Sequence, residues 1–127
     1  MQRVVVAFIL CLTILPPPLA LAAAARDVSA AEAKAIIDKT KNSFILDVRS
    51  PQERRQGYIP GSQLIPIDTI ERRLAEIPKN RPIVVYCAVG SRSRAVAQGL
   101  SRLGYPEVYN MRDGIMGWYR SGYPVQR

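Results

Sequence analysis

Ile83-Val84-Val85-Tyr86-Cys87-Ala88-Val89-Gly90-Ser91-Arg92-Ser93 is the stretch that decides the fold. Three β-branched residues and a tyrosine in an unbroken run read as a strand buried on both faces. The chain then passes a cysteine and a short glycine-containing loop. From Ser93 to Leu103 it becomes helical in pattern, with Ala95, Val96, Leu100 and Leu103 apolar and Gly104 suited to the C-cap. A strand that feeds a helix through a tight loop is half of a βαβ unit.

The same alternation extends on both sides. Ser29-Ala30-Ala31-Glu32 reads as a capping box opening a helix whose apolar face carries Ala33, Ile36 and Ile37. Phe44-Ile45-Leu46-Asp47-Val48 reads as a second buried strand, and Pro51 opens a short helix through Arg55. Residues 57–62 are loop chemistry, and Leu64-Ile65-Pro66 is a brief strand. Asp68-Thr69-Ile70-Glu71 predicts a further capped helix with Ile70, Leu74 and Ile77 on one face. Val108-Tyr109-Asn110-Met111 is a last strand, and a short helix from Ile115 to Arg120 ends at Gly122. The expected fold is therefore α/β: a single domain with a mainly parallel central sheet of about five strands and helices on both faces.

The first residues read differently. Arg3 precedes twelve residues, Val4 to Leu15, without a charge. As a helix that run would reach about 18 Å, short of a ~30 Å hydrocarbon core. Three prolines and an alanine-rich stretch follow, the layout of a secretory signal peptide. The expectation is a cleaved signal over residues 1–25, a mature domain over residues 26–127, a periplasmic or secreted location and no stable membrane anchor after cleavage. Residues 26–127 keep 17 of the 18 basic residues and all 10 acidic ones, a formal charge of +7.

Composition limits the chemistry. The 127 residues are 48% hydrophobic and 22% charged, an ordinary balance for one globular domain. The chain has no histidine. That excludes Ser-His-Asp and Cys-His nucleophile pairs and imidazole zinc sites, and two cysteines cannot build an all-cysteine site. No metal and no cofactor are expected. The basic residues are scattered rather than striped with aromatics, so nucleic acid is not an expected partner. A small anionic substrate needs only one or two well-placed arginines, and the general positive charge would steer it in.

Cys11 leaves with the signal, so Cys87 is the one cysteine of residues 26–127. A lone cysteine in an oxidising compartment is either buried and inert or reactive. Position favours reactivity here. Ligands of open α/β sheets bind beyond the carboxyl ends of the strands. There the loop amides and a helix N-terminus converge as an anion nest, which lowers a thiol pKa without a histidine base.

These residues resemble the rhodanese sulfurtransferases, and the small secreted single-domain members most closely. The likeness rests on Tyr86-Cys87-x-x-Gly90-x-Arg92-Ser93, on Asp47-Val48-Arg49-x-x-x-Glu53, on Gly57-x-Ile59-Pro60-Gly61, and on Gly114-Ile115-x-x-Trp118-x-x-x-Gly122-Tyr123-Pro124. It covers nearly all of residues 26–127, in order. Tyr58 and Ser62 depart from the family's Gly-His-Ile-Pro-Gly-Ala stretch, and Asp113 replaces the first glycine of a Gly-Gly pair.

The resemblance implies a thiosulfate sulfurtransferase. Cys87 is its catalytic residue and takes sulfane sulfur as a persulfide from thiosulfate or a similar anionic donor. A thiophilic acceptor then removes the sulfur. Ala88, Val89, Gly90, Ser91, Arg92 and Ser93 would form the binding loop, with Arg92 on the anionic donor. Asp47 reads as a turn carboxylate, and Arg49 and Glu53, four apart, are expected to pair; the three would brace the loop. Arg94 reads as solvated, and Trp118, Tyr119 and Tyr123 as closing core or rim. One alternative is a persulfide carrier or binding module for a protein partner. Another is a Cys-dependent phosphatase or arsenate reductase. That class needs Cys-x5-Arg, and Ser93 occupies the arginine position.

Overall fold

In a computed structural model of the chain, the described residues are 24–127 together with Leu15 and Pro16. The signal-peptide reading of residues 1–25 thus lies almost wholly outside them. The described residues form five strands and four α-helices: β1 Arg26–Val28, α1 Ala30–Lys39, β2 Phe44–Asp47, α2 Pro51–Arg55, β3 Gln63–Leu64, β4 Ile83–Tyr86, α3 Ser91–Arg102, β5 Val108–Met111 and α4 Gly114–Arg120. The strands make one sheet in the order β1-β5-β4-β2-β3, with every pairing parallel. The α/β expectation and the strand number hold.

Side-chain alternation splits β2 and β4 between two cores. Phe44, Leu46, Val85 and Cys87 face a cluster completed by Val96, Ala97 and Leu100 of α3. Ile45, Val84 and Tyr86 face the other cluster, with Ala30 and Ala33 of α1 and Ile115 and Trp118 of α4. Both faces are covered, which is why these strands read as continuous apolar runs. The period of two also puts Cys87 on the α3 side and its neighbour Tyr86 on the opposite side.

One element differs from expectation. Residues 67–76 are not a capped α-helix but two 3₁₀ segments, Ile67–Thr69 and Glu71–Glu76, and neither has a side-chain cap. Arg73 interrupts the second at φ −117° and ψ 15°. Ile67, Ile70 and Leu74 still pack against the α3-side cluster. The apolar positions are therefore honoured by a looser backbone, as short 3₁₀ pieces allow.

At the end of β2 lies a buried charge network. Asp47 is fully buried and Arg49 is 3% exposed. Asp47 Oδ1 accepts from the Arg49 amide at 3.0 Å and from Arg49 Nε at 2.9 Å. Its Oδ2 accepts from Arg49 Nη2 at 2.8 Å, from the Tyr86 hydroxyl at 3.0 Å and from Arg54 Nη1 at 3.3 Å. Burial, with the Asp47 charge behind it, pushes the Tyr86 phenol up to about 12. The Arg49 side chain also donates to the Gly57 carbonyl at 2.9 Å and so ties the loop after α2 to the sheet. Asp47→Ala should cost about 3–5 kcal/mol, because it leaves a buried guanidinium without its counter-charge. Asp38→Ala breaks only the half-exposed pair with Lys34 and should be nearly neutral. Urea denaturation of both variants checks the contrast.

Candidate active site

Cys87 is fully buried and carries a free thiol. It follows β4 directly, and the chain from Ala88 to Gly90 arches over its sulfur before α3 begins at Ser91. The Gly90 amide donates to Sγ at 3.1 Å, and the Ser93 hydroxyl lies 3.4 Å from Sγ. Gly90 has φ 97°, and a Cβ there would overlap the Arg112 carbonyl. Only glycine lets the loop close this tightly. Gly114, at φ 62°, is under the same constraint, because a Cβ would overlap the Ala88 carbonyl.

The carbonyls of the arch are satisfied from outside it. The Ile115 amide donates to Cys87 O at 2.8 Å and the Met116 amide to Ala88 O at 3.2 Å. These amides belong to the first turn of α4, where they have no helical partners of their own. The loop amides are thereby left to turn toward the sulfur. Burial pushes the Cys87 thiol up. Hydrogen bonds from the Ser93 hydroxyl and from the Ser93, Gly90 and Val89 amides outweigh it and hold the thiol below its ordinary value.

The Ser93 hydroxyl has a single proton and several acceptors. Asn110 Oδ1, at 2.6 Å, is nearer than Sγ. The Asn110 amide is oriented by donation from its Nδ2 to Asp27 at 2.9 Å. With a neutral thiol the proton belongs to Asn110; a thiolate is the acceptor that draws it across. Asn110, 1% exposed, was not among the residues the sequence pointed to. It sits on β5 beside the Cys87 strand, and its one sequence signal is a polar residue inside an otherwise apolar run.

The arginine pairings differ from expectation. Arg49 does not pair with the Glu53 side chain; it pairs with Asp47, and it reaches Glu53 only at its carbonyl, 3.4 Å away. The turn after β2 keeps Arg49 folded back on the strand end, out of reach of the α2 carboxylate. Glu53 instead takes Arg92 in a two-pronged pair, with both nitrogen–oxygen distances 2.8 Å. That pair holds the Glu53 carboxyl down to about 2, and the Ser50 amide adds to it. The Arg92 guanidinium is raised by Glu53 first and further by the Cys87 sulfur. Arg94, 54% exposed, meets Asp27 at 3.1 Å.

Tyr58 and Ser62, the departures in the loop after α2, share one partner. The Arg54 guanidinium lies 3.9 Å above the Tyr58 ring and donates to Ser62 Oγ at 3.0 Å and to Ser62 O at 2.8 Å. The third departure, Asp113, accepts from the Ala30 amide at 2.9 Å and joins the starts of α4 and α1. Trp118 is buried, donates to Pro124 O at 2.8 Å and meets the Tyr123 ring edge-on at 5.0 Å. A groove of about 760 Å³ lies between the 3₁₀ segments and α3, and none of its lining residues belongs to 87–93. Among the described residues, no cluster of His, Cys, Asp or Glu could hold a metal ion.

A parallel α/β sheet with a thiol cradled at a strand-to-helix loop defines a class of cysteine-loop domain. Residues 29–121 match the family model described as a rhodanese-like domain, and the chain belongs to that family. It is 41% identical to a sulfurtransferase of Allochromatium vinosum over 86 residues, 68% of this chain and 80% of that one. It is 30% identical to the thiosulfate sulfurtransferase GlpE of Pseudoalteromonas translucida over 93 residues, 73% of this chain and 88% of that one. A crystal structure of a rhodanese-related protein from Thermoplasma volcanium superposes with a TM-score of 0.71 at 34% identity, covering 80% of this chain and 97% of that one.

Ser93→Ala should raise the Cys87 thiol pKa and slow its alkylation by iodoacetamide at neutral pH. It should also cost about 1–3 kcal/mol by leaving the buried Asn110 oxygen without its donor. Alkylation rates across pH, together with urea denaturation, test both effects.

Proposed function

We propose that the protein is a sulfurtransferase that moves sulfane sulfur from thiosulfate or a similar anionic donor to a thiophilic acceptor through a Cys87 persulfide. The observation that carries this reading is the Cys87 sulfur itself. It is held below the ordinary thiol pKa and receives the Gly90 amide at 3.1 Å. A thiolate stabilised by fixed amides needs no histidine base.

In the first half-reaction the thiolate attacks the outer sulfur of thiosulfate. The sulfur–sulfur bond of the donor breaks, and sulfite leaves with its electron pair. The remaining persulfide anion carries its charge one atom further out, toward the loop amides of Ala88 to Ser93, which would hold it. In the second half-reaction an acceptor such as cyanide or a thiol attacks that outer sulfur, and the Cys87 thiolate departs and is restored. Arg92, the second residue of α3, would meet the donor's sulfonate oxygens. Phosphate-ester chemistry is disfavoured because Ser93 stands where a Cys-x5-Arg loop requires its arginine. Export of residues 26–127 after cleavage of the preceding segment belongs to the same proposal. It is supported by the charged start, the apolar run and the alanine-rich end of residues 1–25.

Incubation with thiosulfate should add one sulfur to the protein mass, and cyanide should remove it as thiocyanate. Cys87→Ser should show neither the adduct nor turnover. Thiocyanate formation that survives Cys87→Ser would falsify the assignment.

A further inference from the structure

Arginines gather around the carboxyl end of the sheet, and the structure gives several of them a carboxylate. Arg49 and Arg54 share Asp47, Arg94 meets Asp27, and Arg92 is taken by Glu53. Of these, Arg92 stands nearest in the chain to the loop that arches over the sulfur, as the second residue of α3. Its two terminal nitrogens both point at one carboxylate. The cation best placed to receive an anionic donor is therefore already occupied by an anion of the fold.

That carboxylate is fixed from behind. Glu53 is the third residue of α2, and Ser50 caps the helix. The Glu53 amide donates to Ser50 Oγ at 3.2 Å, and the Ser50 amide donates back to Glu53 Oε1 at 3.2 Å. This reciprocal box holds the Glu53 side chain toward the loop whether or not Arg92 is present. The pair is still within reach of solvent, with Glu53 30% and Arg92 36% exposed. A donor can contest it, and it cannot be ignored.

We propose that Glu53 is a specificity-determining residue: by holding both terminal nitrogens of Arg92 it makes every anionic donor compete with a built-in carboxylate, and it thereby disfavours doubly charged donors relative to singly charged ones. The inference rests on the sulfur-transfer reading of Cys87. Together Arg92 and Glu53 add no net charge to the mouth. A dianion approaching a thiolate therefore gains little there to offset its second charge, whereas a monoanion has less to offset. Competition of this kind raises KM and leaves the transfer step alone, because it acts before the donor is seated.

Thiosulfate and methanethiosulfonate make a suitable pair of probes. Both present a terminal sulfane sulfur to the thiolate. One releases sulfite and the other methanesulfinate, and they differ by one unit of charge. Glu53→Gln keeps the capping box, which accepts glutamine as well as glutamate, and removes the charge. It should raise kcat/KM for thiosulfate about 3- to 30-fold, mostly through KM. Methanethiosulfonate should gain much less, so the ratio of the two moves toward the dianion. Glu53→Asp keeps the charge but shortens the arm, and should shift the ratio the same way by a smaller factor. It decides the matter if the glutamine variant does not fold. In an Arg92→Ala background, Glu53→Gln should lose most of its effect. Persulfide formed from both donors with an unchanged ratio in Glu53→Gln and Glu53→Asp overturns this inference alone. No persulfide from either donor in the unaltered protein overturns the transfer reading and this inference with it.

Discussion

Everything at the site depends on where the carbonyls of the cysteine loop go. Cys87 O and Ala88 O are claimed by the first amides of α4, from Ile115 and Met116. With the carbonyls anchored outward, the amides of the arch face inward on the sulfur. The clamp has two glycine hinges. Gly90 lies against the Arg112 backbone and Gly114 against the Ala88 backbone, and neither position has room for a side chain. The end of the chain therefore sets the chemistry of its middle: α4 holds the loop, and Ile115 and Trp118 pack α4 against Ile45, Val84 and Tyr86 of the sheet.

The buried network below the site serves this clamp from the other side. Asp47, Arg49 and Tyr86 sit on the sheet face opposite Cys87, and through Arg54 they hold the loop of residues 57–62. Among the described residues, every buried side-chain nitrogen or oxygen has a hydrogen-bond partner. A charge at the base of a cleft is tolerated only in such a closed network. Rigidity here also keeps Ser50 and Glu53 in place, so the paired arginine at the mouth is part of the same construction.

Much of this was legible in the sequence because the strands are buried on both faces. Ile83–Tyr86 is apolar throughout, Phe44–Asp47 is apolar up to its last residue, and the loop that follows β4 carries its own glycine. β1 was harder to read. Arg26-Asp27-Val28 has two exposed polar residues and one buried valine, and it becomes a strand only because β5 offers it an edge. The 67–76 segment misled for the opposite reason. Its apolar spacing suits a helix, but no side chain caps its start and Arg73 breaks it. Sequence separation hid the pairings. Glu53 and Arg92 are 39 residues apart, while Arg49 and Glu53 stand at helical spacing and do not pair through their side chains. Local periodicity carries information on which face a residue occupies and none on which distant charge will meet it.

The central claim is that fixed amides and one hydroxyl, rather than a histidine, make Cys87 a nucleophile. Direct titration of the thiolate by its ultraviolet absorbance, with Cys87→Ser as the blank, measures this most directly. The account predicts that the Cys87 thiol titrates below the ordinary cysteine range. Titration at or above that range would mean that burial outweighs the loop, and would contradict it.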